Sequence, residues 1–222
     1  RHKEKLIKHN EKRTKKVFSM DIPIIVWARR HTAYKRPDLI FTDWLRLKKM
    51  LQDGLIQLLI AGKPHPSDIP AINYYNWLYE KSLEVPNLSV WAGYEREQSA
   101  ILKAGADIWL FTSRRPREAC HTSGMSAMLS GTIPLASRDG WYDEIPEKYY
   151  FPFGVDSPCV GEGEQDSKDY RNLMLVLGNA LKIYNNDKPA WYQKALLAKQ
   201  YAEKNCVSDR MLKEYIDLMY LS

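Results

Sequence analysis

The sequence predicts an α/β fold: an open, mostly parallel sheet with helices on both faces, followed by extra helices at the carboxyl end. Three observations carry this. Short apolar runs of strand length recur and alternate with helical patterns, as parallel sheets require. The run Ile108–Phe111 is apolar throughout, which marks a strand buried on both faces. Gly and Pro stand at the ends of these runs rather than inside them.

Ile22–Ala28 is the first strand, with Pro23 near its start, where a missing N–H does least harm. From Pro37 the residues Leu39, Ile40, Trp44, Leu47 and Leu51 keep a helical spacing that stops at Gly54. Leu55–Ala61 reads as the second strand, and Ser67 or Asp68 as the cap of a helix reaching about Leu83. Leu88–Trp91 is a third strand, followed by a short helix ending near Gly105. Ile108–Phe111 and Ile133–Ala136 are the fourth and fifth strands, with a helix from Glu118 to Ser130 between them, closed by Gly131. Tyr149–Phe153 reads as an irregular aromatic segment and Gly161–Glu164 as an exposed loop. Three helices finish the chain, near 168–185, 189–205 and 208–220, with Pro189 as the first helical residue and Ser208 as an N-cap.

The 222 residues, 45% of them hydrophobic, are enough for one substantial core plus a helical appendage. This gives the division 1–18, a basic linker or helix; 19–160, the sheet domain; and 161–222, helices packing on that domain. The chain begins without Met inside a charged run, as expected of a piece of a longer protein. Cys120, Cys159 and Cys206 are odd in number and lack metal-ligand spacing, so no metal site is expected and a reducing cytoplasm suits them. No apolar stretch reaches the length of a membrane span.

The net charge is +6, and much of the excess lies in residues 1–16. Glu4 and Glu11 are mixed into that run and no aromatic residue interleaves with its cations, so it reads as a solvated helix. Neither nucleic acid nor a membrane is an expected partner.

Cations cluster instead at predicted strand ends. Arg29 and Arg30 follow the first strand, with Lys35 five residues beyond Arg30; Lys63 follows the second. Ligands of open α/β sheets bind at the carboxyl ends of the strands. Arg30 as a planar fork and Lys35 as a point charge suit one anion. The segment Arg114–Gly124 carries further cations into a helix start, where free N–H groups and the positive dipole end attract phosphate.

Three segments together, Ala28–Arg36, Ala61–Asp68 and Arg114–Glu144, resemble the carboxyl-terminal half of α-glucan phosphorylases of the glycogen and maltodextrin type, closest to the short bacterial and archaeal forms. Their order and spacing agree from about residue 20 to 145; the tail from Tyr149 is less diagnostic. The resemblance implies one half of a GT-B glycosyltransferase, a Rossmann-like domain facing a second one across a cleft. It implies phosphate or glucose 1-phosphate as ligand, an α-glucan acceptor held by a missing N-terminal domain, and pyridoxal phosphate as the family cofactor. It assigns Arg30 and Lys35 to the anion, Glu118 to the sugar hydroxyls, and Thr122, Ser123 and Gly124 to the phosphate cradle. Asp139–Gly140 matches the family's Asp-Gly after the next strand.

One position departs. The family pattern ends Gly-Thr-Ser-Gly-Met-Lys, and its Lys binds pyridoxal phosphate covalently; here His121-Thr122-Ser123-Gly124-Met125-Ser126 stands. A hydroxyl cannot form an imine, so Ser126 excludes that attachment at this position. His121 replaces a Gly at the close approach to phosphate, and Cys120 replaces a small residue.

Three readings follow. The first is a phosphorylase-like retaining glycosyltransferase domain without covalent pyridoxal phosphate. The second is a domain that takes a nucleotide-sugar, as glycogen and starch synthases do, with His121 donating to a phosphate oxygen. The third is a non-catalytic module that binds glucan or a partner.

Overall fold

The computed structural model describes residues 2–93, 95–155 and 159–220. The strands are β1 (Ile24–Ala28), β2 (Gln57–Gly62), β3 (Leu88–Ala92), β4 (Ile108–Phe111), β5 (Ile133–Ser137) and β6 (Phe151–Phe153). They form one six-stranded sheet in the order β3-β2-β1-β4-β5-β6, and all five pairings are parallel. The α/β class and the doubly wound parallel sheet are as the alternating pattern predicts.

The helices are α1 (His2–Thr14), α2 (Trp44–Gln52), α3 (Ile69–Glu84), α4 (Arg96–Gly105), α5 (Thr122–Leu129), α6 (Glu162–Asn186), α7 (Lys188–Asn205) and α8 (Ser208–Tyr215), the last running into a π-helical turn, Ile216–Tyr220. Alternate strand residues feed two cores. Ile25, Trp27, Ile108 and Leu110 meet Leu47 of α2, Leu78 of α3 and Leu173 and Leu177 of α6. Val26, Ala28, Trp109 and Phe111 meet Leu6 of α1, Leu102 of α4, Met128 of α5 and Ala198 of α7. This period-two division between faces is why the central strands are apolar at every position.

The N-terminal helix is docked rather than solvated along one side. Leu6 and Asn10 are fully buried, Lys3 pairs with Asp107 at 2.7 Å, and a Cβ on Gly105 would come within 2.4 Å of the Leu6 Cβ. Its remaining cations face outward, so charge density alone hid an amphipathic face with few apolar positions.

Five expectations need correction. The helix from Pro37 is broken into a 3-10 turn, Leu39–Phe41, and then α2, because Asp43 accepts the Arg46 N–H at 3.0 Å and restarts it. The helix expected from Glu118 begins at Thr122: Glu118 N–H is taken by Asp139 Oδ2 at 2.8 Å, and His121 is left-handed at φ 46°. Part of the aromatic segment is β6, parallel to β5. The Gly161–Glu164 segment enters α6 at Glu162, with Glu162 and Glu164 suited to its first turn. Finally, α7 takes Asp187 as its cap, placing Pro189 second, while Val207 precedes Ser208 at the start of α8.

Candidate functional site

Sheet order fixes where a ligand can sit. The connection after β1 leads to β2 on one side and that after β4 leads to β5 on the other, so the two loops part and leave a crevice above the adjacent ends of β1 and β4. A cavity of about 260 Å³ lies there, lined by Arg29, Arg30, Lys35, Glu118, Cys120, His121, Thr122 and Ser123 together with two alanines.

The first wall is the segment after β1. Arg29 is buried against Phe111, its guanidinium 4.8 Å from the ring, and donates to Ser113 Oγ at 2.6 Å and to Glu118 Oε2 at 2.5 Å. Lys35 Nζ stands 3.7 Å from the same carboxylate oxygen. Arg30 is exposed and has no acidic partner among the described residues. Burial, with Arg29 and Arg30 nearby, lowers the Lys35 pKa, and Glu118 opposes that shift. For Glu118, burial pushes upward but Arg29, Ser113 and Lys35 together hold the carboxyl below its usual range.

The second wall is the turn into α5. His121 O accepts from Gly124 N–H at 2.7 Å and from Met125 N–H at 3.2 Å. The N–H groups of Thr122 and Ser123 have no backbone acceptor among the described residues. They are the free donors of a helix start beside two cationic side chains, a combination that attracts an anion. The His121 ring lies edge-on to Phe111 and Tyr142, with centroids 5.2 and 4.8 Å away. Burial lowers its pKa to about 4, Arg29 acting in the same direction.

The cavity therefore gathers Arg29, Arg30, Lys35, Glu118, His121, Thr122 and Ser123 from positions far apart in sequence. Lys63 is exposed and outside it. Gly124 is buried beneath the turn, where an added Cβ would meet Tyr142 Oη at 2.2 Å. Asp139 and Gly140 act from behind: Asp139 holds Glu118 N–H, and Gly140, at φ +52°, lets its chain pass so close to Ala119 O that a Cβ would lie 2.2 Å away. Ser126 is also outside the cavity, its hydroxyl turned back to the Thr122 and Ser123 carbonyls at 3.1 Å each.

Ser113 and Arg36 are supporting residues that sequence reasoning missed. Ser113 Oγ donates to Glu118 Oε2 at 2.8 Å while accepting from Arg29. Arg36 joins both walls: it donates to the carbonyls of Thr112 and Ser113 at 2.7 and 3.0 Å and pairs with Asp166 and Asp169 of α6, each at 2.8 Å. The cation was visible in the sequence, but its partners lie some 130 residues away. No cluster of three or more metal-ligating side chains occurs among the described residues, and no helix there is long and apolar enough to cross a membrane.

No family model matches the chain. Similar proteins do place it. It is 35% identical over 220 residues to an uncharacterized protein of Methanocaldococcus jannaschii, covering 98% of this chain and 41% of that one. A glycogen phosphorylase of Aquifex aeolicus is 30% identical over 249 residues, covering 99% of this chain and 36% of its own. A maltodextrin phosphorylase of Thermococcus litoralis is 33% identical over 206 residues, with coverages of 89% and 24%. A glycogen synthase of Streptococcus sanguinis is 28% identical over 203 residues. Homologues of this chain thus include glycogen and maltodextrin phosphorylases, and the chain spans less than half the length of each relative.

Proposed function

We propose that this chain is the carboxyl-terminal, sugar-phosphate-binding half of a retaining glycosyltransferase that moves glucosyl units to or from an α-glucan. One observation carries the reading: the cavity at the β1–β4 switch point puts Arg30 and Lys35 opposite the free N–H groups of Thr122 and Ser123. An anion there meets two cations and a helix N-terminus. The phosphorylase homologues support a sugar phosphate as that anion.

The chemistry asked of this half is electrostatic. When the bond between glucosyl carbon and phosphate oxygen breaks, negative charge grows on the phosphate. Arg30, Lys35 and the α5 N–H groups stabilise that charge without needing to move. Glu118, anchored by Arg29, Ser113 and its own N–H on Asp139, presents a carboxylate at the cavity wall to accept from sugar hydroxyls. The acceptor glucan is bound by the part of the protein beyond this chain.

Pyridoxal phosphate does not fit as a covalent group. The Ser126 hydroxyl is committed to its own helix and lies outside the cavity, and among the described residues lining the cavity the primary amine is that of Lys35 on the opposite wall. No step is assigned to the cofactor.

The similarity to glycogen synthases supports a second reading, with a nucleotide-sugar diphosphate on the same groups. Thermal unfolding of the chain with glucose 1-phosphate, inorganic phosphate, ADP-glucose and UDP-glucose separates the two, since a ligand of the folded state raises the midpoint by mass action. Stabilisation by glucose 1-phosphate and phosphate supports the phosphorylase type, and stabilisation by a nucleotide-sugar alone supports the synthase type. If none of the four shifts the midpoint, a non-catalytic module is the remaining reading.

A further inference from the structure

The turn that presents Lys35 to the anion cavity does not hold its shape alone. The 3-10 turn Ala33–Lys35 runs into Arg36 at φ 43° and ψ 61°, a left-handed backbone that a residue with a side chain enters at a cost. Such a conformation persists only where its surroundings over-determine it. Here the surroundings are the three residues that follow β4.

Three successive carbonyls of the turn are bonded from that side. Tyr34 O accepts from Arg114 N–H at 2.7 Å, and Thr112 Oγ1 lies 2.7 Å from Lys35 O and 2.8 Å from Arg36 O. The Arg36 guanidinium returns the contact to the Thr112 and Ser113 carbonyls. The direction of the Thr112 hydroxyl is dictated. Trp27 Nε1 of β1 donates to it at 2.9 Å, so one lone pair is occupied and its single hydrogen turns toward the two carbonyls. Thr112 and Trp27 are each 1% exposed, which keeps water from competing for these bonds.

Thr112 does not line the anion cavity and reaches Lys35 only through the backbone carbonyl. What it sets is the place of the ammonium group. Lys35 Nζ ends 3.7 Å from Glu118 Oε2, a carboxylate carried by the loop after β4. The two charges come from loops on different strands, and Thr112 belongs to one loop while holding the other. Groups that bind a ligand work when held within about 0.5 Å of the productive geometry, so a turn free to relax would lose much of the contact.

We propose that Thr112 is a positioning residue of the anion site: its hydroxyl, oriented by the Trp27 indole, fixes the turn that aims Lys35 at the anion. The assignment rests on the anion-binding role proposed above for Lys35.

Inorganic phosphate is titrated calorimetrically into the 222-residue chain and into Thr112→Val, Thr112→Ser, Lys35→Ala and the double variant Thr112→Val/Lys35→Ala. The temperature is one at which thermal unfolding shows each protein folded. Thr112→Val keeps the shape and removes the hydroxyl, whereas Thr112→Ser keeps the hydroxyl and removes the methyl. Phosphate should bind at least about threefold more weakly to Thr112→Val and within about twofold of the parent to Thr112→Ser. Because Thr112 acts through Lys35, its loss should add nothing once Lys35 is gone, and the double variant should match Lys35→Ala within about twofold. A general loosening of the fold would add to the Lys35→Ala loss instead, and that outcome overturns the proposal. Parental affinity in Thr112→Val overturns it too, as does a loss in Thr112→Ser as large as that in Thr112→Val. In each of these cases a weakened Lys35→Ala leaves the proposed function standing. No phosphate binding by the parent, or equal binding by Lys35→Ala, overturns the anion-binding role of Lys35 and this inference with it. Where Thr112→Val does not fold, Thr112→Ala replaces it in the same cycle, and a threefold loss in Thr112→Ser overturns the proposal without either.

Discussion

Arg30 and Arg36 lie on the same loop six residues apart, and the fold treats them oppositely. Arg36 is 1% exposed, and its guanidinium is spent on two carbonyls and two carboxylates that tie the loop after β1 to that after β4 and to α6. Arg30 is exposed at the cavity with no acidic partner among the described residues. A buried guanidinium bound to two carbonyls and two carboxylates is a strut, whereas one left without a counter-charge beside a helix N-terminus is available to a ligand.

The comparison breaks most visibly in stability. Arg36→Ala leaves Asp169, itself 2% exposed, without its cation, and removing one member of a buried pair costs about 3–5 kcal/mol. Arg30→Ala should stay within about 0.5 kcal/mol, as surface changes do. Urea denaturation of the two variants measures both. Equal losses would mean that Arg30 carries structural load, and the contrast fails.

Acid titration comes next and sharpens the same contrast on neutral groups. His31 and His121 are both buried, and burial depresses both pKa values to about 4. The unfolded chain binds their protons near pH 6.5 and the folded chain does not until about pH 4, so stability is full above about pH 6.5 and falls as pH drops toward 4. Each ring accounts for up to roughly 3 kcal/mol of that loss. His121→Asn, which tolerates the left-handed backbone, should flatten the pH curve by one ring's share. An unchanged curve would show that His121 titrates normally and is not sealed in the wall.

Much of the frame was legible in the sequence because it is local. The apolar runs gave five of the six strands, and β6 escaped because three residues with Pro152 at the centre carry little strand signal. The cavity cations were readable from their place after β1, and Glu118 from its motif. Partners brought in from a distance were not: nothing in the local pattern assigns Arg36 to Asp166 and Asp169, or Ser113 to the bridge between Arg29 and Glu118. The start of α5 was misread for the same reason, since Asp139 holds Glu118 out of the helix from across the next strand.

On binding, Arg30 is the residue with the larger effect. A charge-assisted hydrogen bond to a phosphate oxygen contributes about 1.5–3 kcal/mol. Arg30→Ala should therefore weaken inorganic phosphate by at least about tenfold with its unfolding midpoint unchanged. Lys35→Ala should do likewise, with some added loss from its burial. If calorimetry finds either affinity untouched, the loop after β1 does not face the anion.

The smallest effect concerns the carboxylate shared by the two groups of cations. Glu118 lies on Arg29 and 3.7 Å from Lys35, so it offsets part of the positive field that an incoming anion meets. Glu118→Gln keeps the shape and an oxygen acceptor while removing that charge. Inorganic phosphate should then bind about two- to fivefold more tightly, the direction set by removal of like-charge repulsion. Glucose 1-phosphate should gain less, because the same change weakens the acceptor that Glu118 offers to the sugar hydroxyls. The difference between the two gains isolates the sugar contact from the anion contact. Equal gains for both ligands would leave Glu118 as ballast for Arg29 and remove it from the sugar-binding wall.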